Sequence, residues 1–211
     1  MATRPTVALA SASPRRRELI DLLGLDVITR PARLDEQAVG GDRSPADLVV
    51  WLAEAKARAA APMWPDGRIR VGADTIVVLD GGPLGQPRDR DDVRRMLALQ
   101  SGRTVEVLTG IAVVAANGGV RTELTGSEVD IRMLTAEEIA AYAATGAGDD
   151  KAGALEVQDR AAQLVADIRG CFTNVLGLPV CVVARMLGFA EADRPCPGPS
   201  EGDCRLRPDP G

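Results

Sequence analysis

The chain has no histidine among its 211 residues. That removes His-based triads, His general bases and His-ligated zinc from its chemistry. Aromatic residues are scarce, with two Trp, one Tyr and two Phe. So few rings make a base-stacking platform a poor fit. A basic excess is lacking too. The 25 Lys and Arg against 30 Asp and Glu leave a net charge of −5, whereas a non-specific nucleic-acid binder is basic overall or carries a basic stripe. No apolar run reaches the ~20 residues that cross a bilayer. The four cysteines, Cys171, Cys181, Cys196 and Cys204, contain no C-x-x-C pair, so neither a zinc knuckle nor a thioredoxin-type motif is indicated. The opening residues MATRPTVALASAS do not read as a secretory signal. These absences imply a cytoplasmic protein with reduced thiols, and neither nucleic acid nor membrane as a partner.

What is present is an ordinary globular composition, 45% hydrophobic and 26% charged, in a length that suits one large or bilobed domain. Residues 6–10 read as a strand. Ser13 followed by Pro14 is a helix start, and Gly24 a stop. Ser44-Pro45-Ala46-Asp47 opens a second helix reaching about residue 61. Residues 70–79 form an apolar strand interrupted by Asp74 and Thr75. Asp89 caps a helix ending near Gln100. Residues 104–108, 111–115 and 120–133 read as antiparallel strands, the last with a break at Gly126. Thr135 and Glu138 form a capping box, and Val180 begins a final helix. Strands and helices so mixed, with some strands joined by tight turns, predict an α/β fold with a mixed sheet. From Glu191 onward Pro and Gly dominate. A folded domain over 1–190 and a disordered tail over 191–211 are expected.

Four features sit awkwardly with a purely structural role. Arg15, Arg16 and Arg17 fall in the first turn of a helix, where the dipole disfavours cations by roughly 0.3–1 kcal/mol each. They make sense where an anion meets that helix end, with Ser11 and Ser13 as added donors; otherwise they bend to solvent. Asp74 interrupts a buried strand. Its carboxylate either has a cation or metal beside it or lies in a solvated kink. Lys56 falls on the apolar stripe of Leu48, Val49, Leu52 and Ala59, and either snorkels or reaches into a site. Asp149-Asp150-Lys151-Ala152-Gly153-Ala154 is a solvated turn or a loop that approaches a ligand.

Together these segments resemble the Maf family of nucleoside triphosphate pyrophosphatases. The resemblance is carried by Ser11-Ala12-Ser13-Pro14-Arg15-Arg16, Glu54-Ala55-Lys56-Ala57, Gly72-Ala73-Asp74-Thr75-Ile76-Val77, Leu84-Gly85-Gln86-Pro87, Leu108-Thr109-Gly110, Asp150-Lys151-Ala152-Gly153-Ala154, Gln158 and Asn174-Val175-Leu176-Gly177-Leu178-Pro179. It implies a bilobed α/β fold with a mixed, twisted sheet, similar to the inosine-triphosphate pyrophosphatases. The implied activity is hydrolysis of a nucleoside triphosphate between its α and β phosphates, assisted by Mg²⁺ or Mn²⁺. By that resemblance Asp74, Glu36 and Lys56 are the catalytic residues, and Glu36 and Asp74 hold the metal. Ser11, Ser13, Arg15, Thr75, Lys151 and Gln158 bind substrate, and a homodimer is usual. Thr75, the 150–154 loop and Gln158 match the branch acting on dTTP and UTP. Hydrolysis of 7-methyl-GTP, or a weakly active regulator of septum formation, are the alternatives.

The chain departs from the family pattern at Gln86, where Lys is usual, and at Glu156 and Asp159, where glycines are usual. A neutral amide does not replace a phosphate-binding cation, and two added acids disfavour an anion. Arg88, two residues on, is expected to supply the missing charge if that segment is extended.

Overall fold

The computed structural model describes residues 6–31, 34, 42–64, 67–157 and 164–189. The expected disordered tail over 191–211 lies outside these residues. The strands are β1 (Thr6–Leu9), β2 (Asp26–Thr29), β3 (Ile69–Leu79), β4 (Gly82–Leu84), β5 (Thr104–Val114), β6 (Val120–Ile131) and β7 (Val165–Gly170). The helices are α1 (Pro14–Asp21), α2 (Pro45–Ala59), α3 (Arg90–Gln100), α4 (Ala136–Thr145), α5 (Phe172–Val175) and α6 (Val180–Met186). The strands form one mixed sheet in the order β2-β1-β3-β5-β6-β7, with β4 added to β3. Pairing of β1 with β2 and β3 is parallel, and the other pairs are antiparallel. This is the α/β mixed-sheet architecture expected from the sequence. None of the described helices is long and apolar enough to cross a membrane.

Local sequence sets the helix starts. Ser13, Ser44, Asp89 and Thr135 each accept a backbone N–H of their helix's first turn, satisfying donors that the helix itself leaves open. Gly146 ends α4 with φ +73°. Two strands run further than the sequence suggests. β5 continues through Thr109-Gly110, and β6 through Gly126.

The two faces of the sheet are covered differently. On one face, two apolar clusters lie side by side. The first joins Val71, Ala73 and Ile111 to Ile20, Leu178 and Val183. The second joins Val77, Val105 and Val107 to Val93, Leu97 and Tyr142. On the other face α2 packs Val49 on Ile76, Val78 and Leu108, and Ala53 and Ala57 on Ala112 and Val114, and at two points its backbone meets the strands directly. A Cβ at Gly72 would lie 2.1 Å from the Ala53 carbonyl oxygen, and one at Gly110 would lie 2.3 Å from that of Val49. Both glycines are therefore dictated by the close approach of a helix backbone. Gly72→Ala is expected to cost about 2–3 kcal/mol through overpacking and to lower the melting temperature by about 5–10 °C. A thermal melt that leaves the midpoint unmoved would mean that α2 can lift freely.

The cysteines divide. Cys171 is buried and outside any disulfide. Cys181 is disulfide-bonded, which corrects the expectation that the thiols are all reduced.

Candidate active site

The site begins at a gap in strand pairing. β1 accompanies β3 as far as Val71, and β4 joins it from Val77. Among the described residues no strand covers that edge of β3 in between, and Asp74 and Thr75 fall in this window. Points where a neighbouring strand leaves are where α/β sheets present ligands. The strand itself does not kink: Asp74 stays in register opposite Gly110, and Thr75 opposite Thr109.

Side chains alternate across a strand, so Asp74 turns to the α2 face. There Lys56 Nζ lies 2.5 Å from Asp74 Oδ1, with side chains only 13% and 9% exposed. Lys56 thus reaches inward rather than snorkelling. A buried carboxylate without a cation would cost several kcal/mol, and Lys56 supplies that cation. The seating of α2 on Gly72 and Gly110 brings Lys56, one turn beyond Leu52, within reach.

Thr75 turns to the opposite face, between the two apolar clusters. Its hydroxyl lies 3.0 Å from that of Thr109 and receives Arg16 Nη2 at 3.1 Å. Arg16 Nε also donates to the Gly177 carbonyl at 2.8 Å, and Nη1 to Ser11 Oγ at 3.5 Å. Ser11 Oγ accepts the Ser13 N–H at 3.1 Å, so the Ser11–Ser13 turn is tied to the leading end of α1. The three arginines part company. Among the described residues Arg15 makes a surface pair with Glu18 at 3.0 Å. Arg17 turns to the Val27 carbonyl and Thr29. Behind Thr109, fully buried Asn174 donates to the Val107 carbonyl and to Ser127 Oγ, at 2.9 and 3.0 Å. It fixes the segment that presents Gly177.

Lys151 arrives on a loop docked against β3 and β4. Gly153 donates its N–H to the Gly85 carbonyl at 2.9 Å, and Gln100 Nε2 donates to the Gly153 carbonyl at 2.7 Å. Gly153 has φ +63°, and a Cβ there would press on Val77 at 3.0 Å. The loop also holds Ala154 at φ +58°, a costly conformation outside glycine. Tyr142 stabilises it by donating its hydroxyl to the Ala154 carbonyl at 2.9 Å while accepting the Glu156 N–H at 3.0 Å. Burial pushes the Tyr142 hydroxyl up to about 12. Because the folded protein holds this proton more tightly, the contribution to stability is complete below about pH 10 and is lost as pH rises toward 12. Tyr142 is the chain's one tyrosine, so alkaline absorbance should show a native inflection near 12, falling to about 10 in denaturant. A native inflection near 10 would contradict its burial.

At the open window Lys56 and Asp74 meet on the α2 face, while Thr75 is joined through Arg16 to Ser11, and Ser11 to Ser13, on the other; Arg15 pairs with Glu18. Lys151 is brought in by the loop on Val77. Glu36 and Gln158 lie outside the described residues. Arg88 does not fill the place left by Gln86. Its side chain is 81% exposed and pairs with Asp92 at 3.3 Å. The Arg88 backbone N–H, followed by the Arg95 side chain, holds the Asp92 carboxyl below its ordinary range. Sequence reasoning missed Arg16, Thr109, Gln100, Tyr142 and Asn174 as supports. Arg16 carried a signal as part of the arginine run and Asn174 as a polar residue in an apolar stretch, whereas Gln100 and Tyr142 carried none.

Fold and site together define an α/β protein with a lysine set against a buried strand carboxylate on one face of β3 and an arginine held by the neighbouring threonine on the other. A model of the Maf-like protein family matches residues 6–189, and the chain belongs to that family. It is 45% identical over 183 residues to a dTTP/UTP pyrophosphatase of Geobacter sp. (strain M21), covering 86% of this chain and 94% of that protein. It is 47% identical over 188 residues to a dTTP/UTP pyrophosphatase of Moorella thermoacetica, covering 89% and 96%. Among solved structures, a nucleoside-triphosphatase / dITP/XTP pyrophosphatase from Mycobacterium abscessus aligns with a TM-score of 0.40 at 16% identity, over 61% of this chain and 75% of the other.

Proposed function

We propose that this protein hydrolyses dTTP and UTP to the monophosphate and pyrophosphate. The relatives 45% and 47% identical to it over 183 and 188 aligned residues carry that name. The observation that carries the reading is the buried Lys56–Asp74 pair, 2.5 Å apart in the uncovered stretch of β3, beside a helix start lined by Ser11, Ser13 and Arg15.

Phosphoryl transfer is mostly positioning and charge neutralisation. The leading end of α1, the serine hydroxyls and Arg15 would cradle the phosphates. Lys56 keeps Asp74 ionised, the state in which it takes a proton from the attacking water. Water attacks the α-phosphorus, the bond to the bridging oxygen breaks, and pyrophosphate leaves. Lys151 adds charge from its loop. Thr75 and Gln158 are assigned to the nucleoside in this reading, because a side-chain amide can pair with a pyrimidine edge through both its donor and its acceptor.

A divalent cation fits the donor set. Asp74 is a hard oxygen ligand, Glu36 is assigned as its companion, and the triphosphate offers further oxygens. Among the described residues no three His, Cys, Asp or Glu side chains cluster, which suits Mg²⁺ bound by one or two carboxylates and substrate. When bound, the cation neutralises phosphate charge and makes water more acidic. We place the reaction in the cytoplasm, within one domain over 1–190.

A pyrophosphate-release screen over dTTP, UTP, the other common triphosphates and 7-methyl-GTP, with Mg²⁺ and with Mn²⁺, tests this. The expected result is metal-dependent turnover highest on dTTP and UTP. A preference for 7-methyl-GTP, or binding without turnover, would overturn it.

A further inference from the structure

Gln86 stands where the family motif usually has a lysine, yet its side chain is engaged. Its Nε2 donates to the Asp150 carbonyl at 3.0 Å, and the Gly85 carbonyl beside it accepts the Gly153 N–H at 2.9 Å. Two rungs therefore join residues 85–86 to the loop carrying Lys151. The loop is braced from behind by Gln100, which is fully buried and holds the Gly153 carbonyl. Lys151 itself pairs with Asp150 and lies 3.8 Å from Glu156, its side chain a third exposed. Of residues 86, 88 and 151, Gln86 is neutral and Arg88 is tied to Asp92. Lys151, though paired with Asp150 and near Glu156, is the cation of the three carried on the segment docked on β3.

We propose that Gln86 is a positioning residue that acts through Lys151. Its amide fixes the Asp150–Lys151 backbone, and Lys151 rather than residue 86 meets the triphosphate. This rests on the proposed triphosphate activity. A neutral amide at position 86 then costs the enzyme no cation, because its work is to hold a carbonyl. The loop has little freedom to compensate for losing that hold. Gly153 is pinned against Val77, and Ala154 is in a left-handed conformation, so slack introduced at Asp150 falls on Lys151.

A double-mutant cycle on the full chain separates the roles. The probe is a dTTP analogue whose α–β bridge cannot be hydrolysed, with affinity read by calorimetry. Gln86→Met keeps the length and removes the donor; it should weaken the analogue roughly fivefold, the effect of one modest hydrogen bond. Lys151→Met should weaken it more. The double variant should match Lys151→Met alone, because the amide has nothing left to position. Hydrogen exchange over residues 148–156 should quicken in Gln86→Met without any nucleotide. Multiplying effects in the double variant would show that Gln86 meets the ligand itself and would overturn the proposal, as would unchanged exchange. Wild-type turnover of dTTP is measured in parallel. Binding without turnover defeats the enzymatic reading alone, whereas turnover with multiplying effects defeats the role given to Gln86 alone. An analogue that does not bind at all overturns both.

Discussion

Asp74→Asn is expected to lower pyrophosphate release from dTTP by about 10³-fold or more. The variant keeps the shape of the side chain and removes the charge, and with it the proton acceptor. The sheet should survive, because Asp74 is held in register by β5 over the whole of its strand. The variant takes the Asp74 charge away from Lys56, and losing one partner of a buried pair costs about 3 kcal/mol. That penalty can be told apart from loss of chemistry, because melting temperature and turnover are read independently. Circular dichroism and pyrophosphate release read the two effects separately. An Asp74→Asn protein as fast as the wild type would remove this carboxylate from the reaction.

Arg15→Met and Arg16→Met should fail in different ways, although the residues are neighbours. Arg15 is held by a single exposed pair with Glu18. Surface pairs are worth at most about 1 kcal/mol, so a triphosphate can take this guanidinium from Glu18. Its loss should reduce kcat/KM about 100-fold, the effect of one charge-assisted contact in the transition state, with the melting temperature nearly unchanged. Arg16 instead spans Gly177, Thr75 and Ser11. Its loss removes the shorter donor from the Gly177 carbonyl, which keeps the Thr75 hydroxyl at 3.4 Å, and one contact from Thr75, which keeps Thr109 at 3.0 Å, and costs about 1–2 kcal/mol of stability. A thermal melt and steady-state kinetics on both variants decide the assignment. If Arg15→Met melts early while Arg16→Met stays stable, the roles are reversed.

The parts of this molecule that were legible from sequence are those written locally. Ser13-Pro14, Ser44-Pro45 and the Thr135–Glu138 box announce helix starts because each cap is satisfied within three residues. What was not legible depends on distant partners. Thr109-Gly110 reads as an interruption, yet the glycine is there to admit the Val49 carbonyl from α2. Lys56 could be read as snorkelling until that close seating was known. Among three adjacent arginines nothing marks Arg16, whose acceptor at Gly177 lies 161 residues away in the chain. Gln100 looks like an ordinary helix end, and only the fold puts the Gly153 carbonyl above it. The acids and cations were recognisable as anomalies, whereas their supports were not.

At Gly72 and Gly110 the helix α2 rests directly on peptide groups, with no compressible padding at those two points. Its height over β3 is fixed by the radii of main-chain atoms. Drift among Leu, Ile and Val elsewhere in the interior can therefore reshape the two apolar clusters without altering how far the ammonium stands from the acid. The chemistry is insulated from the ordinary wandering of a protein's packing, and the two bare α-carbons at positions 72 and 110 are what insulates it.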